Sequence, residues 1–151
     1  MRALPRLFLL ALAALAAAPG QARSEARHFQ ASQTHFEELA TKAALISQSV
    51  ESLAEHNILN FYVASAMLYA TRAHALSQMT DILEALPAER DKALVRQKLQ
   101  QTRQYVSMNL TGDIHALEGL ANQAGSPQVK NLGVRLINEL RVFQRNAESI
   151  R

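Results

Sequence analysis

NILNFYVASAMLYATRAHALSQMTDILEAL, residues 57–86, is the stretch around which the rest of the chain must be arranged. From Asn57 to Ser77 it holds one fixed charge, Arg72, and neither Gly nor Pro. Leu59, Tyr62, Ala66, Tyr69, Ala73, Leu76 and Leu83 recur at the three-and-four spacing of a helix. A second apolar row, Ile58, Phe61, Ser65 and Leu68, runs beside the first. A helix apolar over so much of its girth is expected to have neighbours on several sides.

The flanking segments supply candidates for those neighbours. Phe29, Phe36, Leu39, Ala43, Ile46, Val50 and Leu53 form an apolar seam that predicts a helix over about 28–55, preceded by a frayed Arg23–Arg27. Glu55-His56-Asn57 reads as the first connection, with Asn57 capping the next helix. Pro87 closes the helix over 57–86, because the residue before a proline is disfavoured in helical geometry. Pro87 is also suited to the first turn of a third helix over about 88–122, where Glu89 and Asp91 complement the helix dipole. Its seam is Val95, Leu99, Thr102, Val106, Leu110, Ile114, Leu117 and Ala121, with Gly112 a possible interruption. Gly125-Ser126-Pro127 is the clearest turn signal. A last helix over 127–149 follows, with Val129, Gly133, Leu136, Leu140, Phe143, Ala147 and Ile150 on one face. No segment alternates with period two, so no strand is expected. The predicted fold is all-α, an up-down-up-down four-helix bundle forming one domain over 23–151. A helical hairpin that completes its core by dimerising is the alternative.

The first 22 residues read differently. Arg2 and Arg6 flank a short apolar run, Leu7–Ala18, broken by Pro19-Gly20, and small residues precede a cleavage point after Ala22. This is the layout of a secretory signal peptide. The run is shorter than the roughly 20 apolar residues of a membrane-spanning helix. Removing Arg2 and Arg6 lowers the formal charge from +3 to +1, so the chain has little electrostatic pull on nucleic acid or anionic membranes. The expected location is the bacterial periplasm or the extracellular space. There is no cysteine. That excludes disulfides, zinc–thiolate and iron–sulfur sites, covalent c-type haem and a lipidated N-terminal Cys.

Catalytic motifs are missing: there is no nucleophile elbow, no phosphate-binding glycine loop and no His-Glu-x-x-His. Glu37-Glu38 and Glu51/Glu55 read as solvated carboxylates. Equal helical rise from each turn brings His56, His115, Glu118 and Glu55 towards one end of the bundle, the best metal-ligand cluster the chain offers. The same reasoning puts His35 and His74 at similar height, the candidate axial pair for a non-covalent haem. Against both stands the ordinary reading of histidines at turns and at the core's edge. Met67 and Met108, near Tyr105 in height, read as core packing. Lys92, Arg96 and Arg103 share a face of the third helix and are the candidate partner-binding cations. The resulting expectation is an exported, non-enzymatic bundle without cofactor that acts by protein binding or self-association. A metal- or haem-carrying bundle is the second reading and a small enzyme the third.

Overall fold

The computed structural model describes residues 18–149, with side chains from Glu25 onward. The expected leader lies outside the described residues except for 18–22, and Ile150 lies outside them at the other end. The described chain is a bundle of four helices: α1 Ala18–Ser47, α2 Leu53–Ala85, α3 Glu89–Gln123 and α4 Pro127–Ser149. It is all-α, with no strand among the described residues.

The first connection falls earlier than the sequence reading placed it. It occupies 48–52, and the N-cap of α2 is Ser52, whose hydroxyl accepts from the Glu55 amide at 3.4 Å. Asn57 lies inside α2. Ser47, Ser49 and Ser52 surround Val50 here, and serine hydroxyls compete for backbone partners, which favours a turn over continued helix. Ser49 donates to the Ile46 carbonyl at 2.9 Å, and the Ser47 hydroxyl lies 2.8 Å from His56 Nδ1 across the turn. The earlier end removes Leu53 from the α1 seam and leaves it 74% exposed. At the other end of α1, residues 23–27 are helical, and Ser77 donates to the Ala26 carbonyl at 3.3 Å.

Two further boundaries follow local chemistry. Leu86 and Ala88 are both extended, so Pro87 sits in the connection and α3 begins after it. Ser126 caps α4 as the sequence indicates, its hydroxyl accepting from the Val129 amide at 3.3 Å. α3 runs unbroken through Gly112. A Cβ added at Gly112 or at Gly119 would meet nothing within 4 Å. An internal helix glycine costs about 0.5–1 kcal/mol relative to Ala, and packing within the chain gives no reason for either one.

The core is a single cluster drawn from all four helices. The seams read for α3 and α4 are its walls: Leu99, Val106, Leu110, Ile114, Leu117 and Ala121 face Val129, Leu136, Leu140, Phe143 and Ala147, all buried. Its centre is aromatic. Phe36 of α1 and Tyr69 of α2 each lie about 6 Å, ring to ring, from Phe143 of α4, in edge-on contacts that suit the ring quadrupole. Phe29 meets Phe143 edge-on at 6.0 Å.

α2 differs from expectation on one side. Leu59, Tyr62, Ala66, Tyr69, Ala73 and Leu76 are buried, whereas Phe61 and Leu68 of the second apolar row are exposed. The apolar girth of α2 exceeds the cover that three neighbours give it.

Gly133 sets the closest approach. A Cβ there would overlap the Tyr62 hydroxyl and fall 3.0 Å from Ala121 Cβ. The Tyr62 hydroxyl is itself buried without a hydrogen-bond partner. Overpacking of this kind typically costs about 1–3 kcal/mol. Gly133→Ala is therefore expected to lower stability by about that amount, whereas Tyr62→Phe, which deletes an unpartnered buried hydroxyl, leaves stability equal or higher. Urea denaturation of both variants checks the pair, and a harmless Gly133→Ala would contradict it.

Candidate functional site

The outer surface shared by α2 and α3 is built on Tyr69. Its ring is buried and its hydroxyl donates to Asp113 Oδ2 at 2.5 Å, joining α2 to α3. One helical turn along α2, the Arg72 guanidinium lies 4.8 Å from the Tyr69 ring centroid and 5.3 Å from that of Tyr105 on α3. A guanidinium over ring faces is attracted by the quadrupole. Arg72 thus fixes Tyr105 against the seam between the two helices while the rest of the ring stays in solvent.

Around this stack the surface is apolar and lacks charge. Met108 is 82% exposed, Tyr105 61%, Leu68 45% and Phe61 44%. Phe61, Leu68 and Arg72 fall on one row of α2, and Arg72's contact with Tyr105 shows that this row borders α3. On α3 the outward row is Tyr105, Met108, Gly112, Ala116 and Gly119, all exposed and spaced three or four residues apart. The carboxylates in this half of α3 turn away from that row. Asp113 accepts from Tyr69, and Glu118 accepts from Arg141 of α4 at 2.6 Å. The contiguous exposed apolar row is the kind of surface that marks an interaction site. Met67 and Met108, read from sequence as packing in the core, are on the outside, as is Tyr105.

The other residues singled out from the sequence are dispersed. His35 Nδ1 lies 3.2 Å from Glu139 Oε2 of α4, beside a cavity of about 360 Å³ that Glu38, Arg135 and Asn138 also line. His74 Nδ1 lies 3.0 Å from Gln33 Oε1. The two imidazoles are exposed on separate partners, and Phe36, Tyr69 and Phe143 fill the core between them and the bundle axis. At the turn end, His56 is held by Ser47, and Glu55 accepts from the Ser126 amide at 2.5 Å. His115, on the outside of α3, is 3.7 Å from Glu118, which is committed to Arg141. His56 and Glu55 are engaged by Ser47 and Ser126, and Glu118 by Arg141, so the four residues are not brought to one point. No group of three or more His, Asp or Glu converges for metal binding among the described residues.

Lys92 and Arg96 both bridge Glu89, at 3.0 and 3.2 Å, and these hydrogen bonds hold the Glu89 carboxyl below its ordinary range. Their charge is largely met within α3. Arg103 is half-buried and has an interaction partner of its own. Sequence reasoning missed Asp113 and Arg72. The recoverable signal was spacing: Arg72 falls three residues after Tyr69, as cation–π neighbours on one helix do.

Comparison with protein-family models, with curated proteins and with solved structures yields no match.

The buried phenols give the fold a pH limit. Burial pushes Tyr62 up to about 12, from an ordinary 10.0. Burial raises Tyr69 further, helped by the hydrogen bond and negative charge of Asp113 and opposed by Arg72. Both groups favour the protonated form when folded, so the stability they contribute is complete below their unfolded value near 10 and is lost as the pH rises above it. Denaturant titrations between pH 8 and 11.5 should show a fall beginning near pH 10 that is shallower in the Tyr62→Phe/Tyr69→Phe protein. Parallel pH profiles for the two proteins would refute this.

Proposed function

We propose that this protein is an exported, non-enzymatic bundle of up-down-up-down topology that works by protein binding or assembly, with the outer α2–α3 surface as its docking face. The observation that carries this reading is the exposure of Phe61, Leu68, Tyr105 and Met108 on a surface with few charges. Protein interfaces are enriched in aromatic residues and Met at their centres and depleted of Lys, Glu and Asp. A rigid bundle presents such residues without ordering a loop, which lowers the entropic cost of docking.

Further support comes from what surrounds this face. Gln33–His74 and Ser47–His56 link α1 to α2, Tyr69–Asp113 links α2 to α3 and Glu118–Arg141 links α3 to α4, the pattern an alternating bundle with short connections requires. Export rests on the basic, apolar leader. Cleavage after Ala22 would leave every described core residue, from Ala26 onward, on the mature chain. No described helix is long and apolar enough to cross a membrane. The docking face lies on the uncharged outward row of the second half of α3 rather than on Lys92, Arg96 and Arg103.

Phe61→Glu, Leu68→Glu and Met108→Glu combined replace three exposed side chains and leave the buried core untouched. The triple variant is expected to keep helical content and unfolding midpoint while losing at least tenfold in association, read by native mass spectrometry of protein recovered from its own host. Undiminished association would remove the docking face from consideration.

A further inference from the structure

We infer that the occupant of the α3 part of this face is a second copy of the chain, packed antiparallel about a twofold axis that passes close to Gly112. This rests on the docking reading above and names the partner. Tyr105 stands seven residues before Gly112 and Gly119 seven after; Met108 stands four before and Ala116 four after. When two identical helices cross antiparallel at Gly112, Tyr105 meets Gly119 of the other copy and Met108 meets Ala116. Each large side chain faces a small one, twice over, and the two Gly112 backbones meet at the centre. This is the self-complementarity that an isologous interface demands, where residue i contacts j and j contacts i.

The two glycines supply an independent argument. Gly133 is explained inside the chain, because a Cβ there would strike Tyr62. Gly112 and Gly119 have open space where a Cβ would stand, yet they sit inside a long helix that any residue except proline would favour more. A close approach from outside the chain gives them a purpose. The opposite member of the Tyr105–Gly119 contact is ready as well, since Arg72 already holds the Tyr105 ring in place.

Charge selects the second copy over other occupants. A twofold axis sets this row against its own copy, so a row of like charges would repel itself. Tyr105, Met108, Gly112, Ala116 and Gly119 carry none, and the nearby Asp113 and Glu118 are taken up by Tyr69 and Arg141 of the same chain. An anionic membrane surface or an acidic peptide would need cations on this row, and it has none.

The chain contains no cysteine, so single cysteines report the geometry directly. Packed helices have axes about 8–10 Å apart and Cα atoms about 2.3 Å from each axis. Facing Cα atoms at the crossing are then within about 5 Å, inside disulfide reach. Gly112→Cys is expected to oxidise to a covalent dimer. Met108→Cys and Ala116→Cys should link to each other when mixed but not to themselves, since like positions lie about 12 Å apart along the axis at 1.5 Å per residue. Gly112→Lys should shift the sedimenting species from dimer to monomer, weakening association at least tenfold, with helical content unchanged because the site is open. A monomeric wild-type chain at hundreds of micromolar would overturn the inference, as would self-linking of Met108→Cys, the signature of parallel packing. If the wild type is monomeric yet a different protein is lost with Phe61→Glu/Leu68→Glu/Met108→Glu, the second copy is refuted while the docking face stands. If the wild type is monomeric and that triple variant changes nothing, both fall.

Discussion

Tyr69 joins all four helices in one side chain. Its ring packs on Phe36 of α1 and Phe143 of α4, and its hydroxyl reaches Asp113 of α3. A phenol is suited to this position because it has an apolar body and one polar tip. Phe would fill the same space and leave Asp113 without its donor. The burial of the ring and the short hydrogen bond depend on each other, since a half-buried carboxylate needs a partner and a buried hydroxyl needs an acceptor.

The same residue organises the exterior. Arg72 follows Tyr69 by almost one turn and spreads over its ring, and that placement carries Tyr105 to the border between α2 and α3. Asp113, by turning inward to Tyr69, removes a negative charge from the outer row of α3. The contact that closes the core is therefore also the reason the surface above it is apolar and uncharged. The two exposed rows of α2 and α3 are best understood as an extension of the core outward rather than as a separate feature.

Much of this was legible in the sequence, for identifiable reasons. The α3 and α4 seams were, because Leu99 to Ala121 and Val129 to Ala147 repeat with helical period and have polar residues between them. Ser126 and Pro127 were, because capping is local chemistry. The end of α1 was not: the apolar seam continues through Val50 to Leu53 and so masks Ser47, Ser49 and Ser52, whose hydroxyls compete with the helix there. Periodicity identifies which residues are apolar, but it does not count neighbours, so Phe61, Leu68 and Met108 could not be told from core residues. Heights along the bundle grouped His56, Glu55, His115 and Glu118, but the structure gives each pair its own partners. Height says nothing of the direction in which a side chain leaves its helix, and that direction decided that Glu55 would cap α4 and Glu118 would hold Arg141.

Glu55 carries a consequence for the order of assembly. Its carboxylate accepts from the backbone of Ser126, 71 residues away, at the positive end of α4. The other links at that end, Ser52 to Glu55 and Ser47 to His56, are between near neighbours. Near neighbours meet early, and loop-closure entropy delays distant ones. The α1–α2 hairpin therefore forms before α4 has its anion. Interactions completed after the transition state govern how fast the native state comes apart rather than how fast it forms. In the finished protein, Glu55 acts as a latch that ties the start of the last helix to the α1–α2 hairpin.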